Sequence, residues 1–154
     1  MAEGADTRVD AIVREMHIDA APETVFEFFT DPAKYVRWKG KLARLDPRPG
    51  GRYEVDVTDE ALARGEFVEV DPPRRVVFTW GWEGSDNVPP GSSTVEIVLE
   101  PDGEGTLLRL THRDLPSVEE REQHSMGWDH FLGRLVIAAG GGDPGPDPHQ
   151  QGQM

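Results

Sequence analysis

After Gly40 the hydrophobic period of the chain becomes two, and only one long helix-period segment follows. That combination limits the folds available. Tyr53, Val55 and Val57 alternate with Arg52, Glu54 and Asp56, which predicts a strand with one dry and one wet face. Val76, Phe78, Trp80 and Trp82 are expected on one face of the next clear strand, with Val77 and Thr79 on the other. Val95, Ile97 and Leu99 alternate with Glu96 and Glu100. Asp102-Gly103 then turns the chain back into Thr106–His112, where Leu108, Leu110 and His112 share a face. An antiparallel sheet dry on one side needs a cover, and the segment after Ser117 is the one element large enough to supply it. Ser117-Val118-Glu119-Glu120 has the pattern of a capping box. Trp128, Phe131, Leu132, Leu135, Val136 and Ala139 form the apolar stripe of that helix, and Gly140 ends it.

Ahead of the sheet, Val9–Ile18 reads as a strand. Pro22 suits a first helical position before Val25, Phe26, Phe28 and Phe29, and Asp31-Pro32 opens a second short helix. The expected order is strand, two short helices, about six strands and a long helix. We expect a flexible N-terminus at residues 1–7, one domain at 8–140 and a disordered Gly/Pro-rich tail at 141–154.

The chain has 154 residues, no cysteine and a formal charge of −13. Without cysteine there is no disulfide framework and no thiolate chemistry. The acidity opposes binding to nucleic acid or to anionic membrane. No apolar run approaches the roughly 18 residues of a membrane span, and the acidic start is unlike a signal peptide, so a soluble cytoplasmic protein is expected. One basic segment stands out: Lys34, Arg37, Lys39, Lys41, Arg44, Arg48 and Arg52 surround a single acid, Asp46. These are expected to be outward positions that balance acidic neighbours, or to steer an anionic partner.

His124 and His130 lie six apart on one helix and cannot share a zinc as an i, i+4 pair does. Ser125, His124 and Asp129 point in different directions and make no hydrolytic triad. No metal, cofactor or catalytic residue is expected on these grounds.

Several stretches resemble the Bet v 1-like/START (SRPBCC) superfamily, and within it the family of the activator of heat-shock protein 90 ATPase. They are residues 21–26, Tyr35-Val36-Arg37-Trp38, residues 48–52, 65–80 and 105–112, and His124-Ser125-Met126-Gly127-Trp128. The resemblance covers about residues 9–139. It implies an α+β helix-grip fold, in which a strongly curved antiparallel sheet of about seven strands wraps a long C-terminal helix and leaves a cavity between them. Gly50-Gly51 and Gly65 suit bends or bulges in such a sheet, and Gly127 a close approach of helix to sheet.

The resemblance also implies a lipophilic, aromatic or polyketide-like ligand, bound without catalysis for sequestration, transport or self-resistance. The residues expected to line the cavity are Trp38, Tyr53, Phe67, Phe78, Trp80, Trp82, Val95, Leu110, His112, Trp128 and Phe131. Two alternatives follow from the same kinship. One is an interaction module for a heat-shock protein 90-type chaperone, although the chain resembles only the C-terminal domain of the two-domain co-chaperone. The other is a cyclase or aromatase, for which His112 and Tyr53 are the pair able to shuttle a proton. A monomer or weak homodimer is expected.

Overall fold

The computed structural model describes residues 11–145. The expected flexible N-terminus at 1–7 lies outside them, as do residues 8–10 and, of the tail expected at 141–154, residues 146–154. Strand β1 (Ile12–Ile18) is followed by helices α1 (Pro22–Thr30) and α2 (Pro32–Tyr35). Six strands come next: β2 (Leu42–Leu45), β3 (Arg52–Asp56), β4 (Leu62–Asp71), β5 (Arg75–Trp80), β6 (Ser93–Asp102) and β7 (Gly105–Arg113). Helix α3 (Val118–Ala139) closes the domain.

The seven strands form one antiparallel, curled sheet in the order β1-β7-β6-β5-β4-β3-β2. Every neighbour is a neighbour in sequence except β1, which pairs with β7 along its whole length, from Ile12↔His112 to Ile18↔Thr106. Alternation then fixes what faces α3. Phe78, Val95 and His112 lie in register across β5, β6 and β7, and Val76, Ile97 and Leu110 form the next row. All six are fully buried. From the other side α3 contributes Trp128, Phe131, Leu132 and Leu135, all buried. This is the helix-grip arrangement.

Local chemistry sets the element ends. Asp31 accepts from the Ala33 amide at 2.9 Å and caps α2. Ser117 Oγ accepts from the Glu120 amide at 3.2 Å and caps α3. The return half of the expected capping box does not form, because the Glu120 carboxylate lies along the helix, 3.7 Å from His124 Nδ1. At the far end Gly140 is the cap, and Gly141 takes the left-handed conformation at φ 98°. Gly142 N–H donates to Ile137 O and Gly141 N–H to Ala138 O, the double closure that satisfies the last carbonyls. Arg134 donates to the carbonyls of Pro144 and Gly145.

Val77 takes the outward face expected of it, while two expectations about glycines are corrected. Val77 is buried although it faces outward, because Arg75 bridges Glu69 and Glu96, its two cross-strand partners, and their stems cover it. The irregularity in β4 falls between Phe67 and Glu69, not at Gly65. Gly65 instead permits strand contact: a Cβ there would lie 2.0 Å from the Thr79 carbonyl oxygen. Gly65→Ala is therefore expected to cost about 2–3 kcal/mol, since backbone rather than a flexible side chain must yield. Urea unfolding measures this, and a loss below about 0.5 kcal/mol contradicts it. Finally, a Cβ on Gly127 would meet nothing within 4 Å, so this glycine faces open space and not the sheet.

Candidate ligand-binding cleft

The open space beside Gly127 is a cleft of about 720 Å³ between α3 and the end of the sheet where β5 leaves it. Its wall is aromatic because the end of β5, the residues just beyond it and the middle of α3 meet there. Trp80 is the last residue of β5, and Trp82 follows as a one-residue bridge to Ala63. Trp128 and Phe131 face them from α3. The Trp80 ring meets Trp82 edge-on at 5.1 Å and is tilted against Trp128 at 5.9 Å. A second groove of about 730 Å³ lies between the start of β1 and the start of α3, but no aromatic side chain lines it.

Each of two cleft tryptophans gives its indole N–H to a histidine. Trp128 Nε1 donates to His112 Nδ1 at 3.0 Å, so the proton of this imidazole is on Nε2. That N–H donates to Ser93 Oγ at 2.8 Å, and the Ser93 hydroxyl donates in turn to the Trp80 carbonyl at 2.8 Å. Trp82 Nε1 donates to His124 Nε2 at 2.9 Å, while His124 Nδ1–H donates to the Glu120 carbonyl at 2.8 Å. Both imidazoles are thus held neutral, with both nitrogens used. Burial pushes His112 well below the ordinary imidazole range, helped by nearby His124 and Lys39. Burial also lowers His124, against the opposing pull of Glu120.

The base of the cleft holds a lysine. Lys39 follows α2 in a turn, its amide donating to Tyr35 O at 3.1 Å, and Gly40 at φ 87° then swings the chain into β2. Arg134 Nε holds this segment against α3 by donating to Trp38 O at 3.1 Å. The Lys39 side chain therefore runs inward and is 3% exposed. Its Nζ lies 4.1 Å from the ring centre of Trp80, 4.0 Å from that of Trp128 and 5.1 Å from that of Phe131. Burial lowers its pKa well below the usual lysine value.

Of the residues expected at the cavity, Trp80, Trp82, Trp128 and Phe131 meet at the cleft. Trp38, Tyr53, Phe67, Phe78, Val95, Leu110 and His112 pack in the core away from its wall. Trp38 donates to Phe28 O at 2.9 Å, and Tyr53 shares a hydrogen bond with Tyr35. The Tyr53 hydroxyl and the His112 nitrogens are thus committed to different partners and make no proton-shuttling pair. Two site residues escaped the sequence reading. His124 was legible, since 124, 128, 131 and 135 fall on one helical stripe. Lys39 was not: it lies in a turn, inside the basic run. Of that run, Lys34, Lys41, Arg44, Arg48 and Arg52 pair with acids at the surface, and Lys39 alone turns into the core.

An antiparallel helix-grip domain with an aromatic cleft at one end of its helix defines a class, the SRPBCC-type domains. The chain belongs to the family described as activator of Hsp90 ATPase homolog 1-like protein, whose model matches residues 19–140. An AHSA1-like protein from Rhizobium etli is 54% identical, covering 90% of this chain and 86% of that one, with a TM-score of 0.73. DynU16, a protein of the dynemicin biosynthetic locus, is 27% identical with a TM-score of 0.76. The match covers 88% of this chain but 49% of that one. An HSP90 activator from Plasmodium falciparum is 26% identical, covering 84% of this chain and 96% of that one, with a TM-score of 0.68. Among curated proteins comparison returns no match. No helix among the described residues is long and apolar enough to cross a membrane.

Proposed function

We propose that this protein binds a flat, lipophilic aromatic small molecule in the cleft between β5 and α3, without transforming it. The observation that carries this reading is the wall itself: Trp80, Trp82, Trp128 and Phe131 converge on an open volume of about 720 Å³. That size falls within the roughly 300–1,000 Å³ of small-molecule sites. Aromatic walls favour ligands that stack, and the histidines that orient two of the indoles keep the rings in place before a ligand arrives. Kinship with a protein of a biosynthetic locus supports a small-molecule ligand, with sequestration, transport or self-resistance as the biological use.

Three of the four tryptophans line the cleft, so ligand entry should alter their emission. Titration with naphthalene-, anthracene- and flavonoid-sized compounds is expected to quench or shift this emission with saturation, whereas saturated fatty acids of similar volume should bind more weakly. A folded sample that responds to no compound would overturn the reading. A second reading, an interaction module for a chaperone, draws on the Plasmodium falciparum relative. Addition of the domain to an Hsp90-type ATPase assay, with a pull-down alongside, separates the two.

A further inference from the structure

We propose that Lys39 anchors the ligand, and that the ligand is therefore an aromatic carboxylic acid whose carboxylate pairs with the Lys39 amine while its rings stack in the cleft. The inference rests on the small-molecule reading above and deepens it.

Buried lysines are rare unless paired, and this one is 3% exposed. Among the described residues its Nζ has neither a hydrogen-bond acceptor nor a carboxylate within ion-pair distance. Its contacts are the faces of Trp80, Trp128 and Phe131. Ring faces attract an ammonium but leave its N–H donors unused. Trp80 Nε1 is a fully buried donor without a partner, in the same ring that Lys39 covers. The base of the cleft thus presents donors and lacks an acceptor.

The groups facing Lys39 do not repair this. From β7 comes His112, whose nitrogens are engaged with Trp128 and Ser93. From α3 come His124, engaged with Trp82 and the Glu120 carbonyl, and the Glu120 carboxylate, which lies beside His124. A structural role would be served as well by Met or Leu, which fill the same space without burying an amine. A carboxylate delivered by a ligand supplies what is missing: an acceptor for the N–H groups and a counter-charge. Burial lowers the pKa of the free amine, and a carboxylate beside it would raise that pKa again, so binding of an ionised acid shifts Lys39 toward its charged form.

The test compares 2-naphthoic acid and anthracene-2-carboxylic acid with their methyl esters. Wild type and Lys39→Met are titrated calorimetrically at pH 7.5 in two buffers of different ionisation enthalpy. Wild type is expected to favour each acid over its ester by at least about tenfold, and to take up more proton with the acid than with the ester. Lys39→Met should lose that preference and the extra proton uptake, its affinities for acid and ester falling within about threefold of each other. Equal binding of acid and ester to wild type, or an acid preference and proton uptake that survive in Lys39→Met, would overturn the anchor and leave the aromatic cleft standing. Binding of neither acid nor ester would overturn both.

Discussion

Below pH 6.5 the fold is expected to lose stability at a slope of between one and two protons, about 1.4–2.7 kcal/mol per pH unit. The cause is the pair of neutral imidazoles behind the cleft. His112 Nδ1 and His124 Nε2 each accept an indole N–H, so a proton added at either atom replaces an acceptor with a donor that faces a donor. Both groups have folded pKa values below the unfolded value of 6.5. For a base shifted in this direction the unfolded chain binds more protons. The stability is therefore complete above 6.5 and falls as the pH drops below it. Lys39, lowered in the same way, extends the rise in stability toward pH 10.5. His17 acts with the opposite sign, because its hydrogen bonds to Asp102 and Asp19 raise its pKa, but it is fully exposed and screened. Urea unfolding of wild type and His17→Gln at pH 5, 6, 7 and 8 reads the slope. A stability that stays level between pH 7 and 5 would show that neither indole depends on a neutral imidazole.

Trp80→Ala should cost about 3–5 kcal/mol, the largest single loss we expect in this domain. Its ring is 2% exposed and stands at the junction of every element that builds the cleft. It touches Tyr53 from β3 at 6.1 Å, His112 from β7 at 6.0 Å, and Trp128 and His124 from α3 at 5.9 and 6.5 Å. The Lys39 Nζ rests on its face. Truncation leaves a void that a curled sheet hydrogen-bonded on both sides of β5 cannot close. The midpoint of thermal unfolding should fall by roughly 10 °C, and aromatic ligand binding should disappear with it. Trp80→Phe, which retains a ring but loses the unpartnered N–H, should recover most of the stability. A loss below about 1 kcal/mol for the alanine variant would remove Trp80 from the centre of this account.

Much of the scaffold is legible as period and punctuation. Val95, Ile97 and Leu99 alternate with acids, Asp102-Gly103 turns the chain, and Leu108 and Leu110 resume the same face. The hairpin of β6 and β7 reproduces that register, with Gly103 at φ 63°. The stripe from Trp128 to Leu135 is the buried side of α3. Where the linear reading stopped short of the structure, a neighbour distant in sequence decided the outcome. Val77 is covered by charged stems from β4 and β6, and Gly127 lies over a void that no local pattern records.

The same division runs through the candidate site. Alternation and helical spacing act over two to four residues, and they already place Trp80 and Trp128 on inward faces. Which inward residues border empty space depends on how far the sheet curls before α3 crosses it. That is why Tyr53, Phe67 and Phe78 pack as core while Trp82, beyond the end of β5, lines the cleft. The fate of Lys39 was the least accessible of all. A turn residue has no periodic constraint on its direction, and composition counts its charge with the surface. Only the assembled fold, with α3 holding the Trp38 carbonyl and three rings closing over the amine, turns that side chain inward. Short-range periodicity determined the sheet and its helix; long-range packing decided which charge lies buried between them.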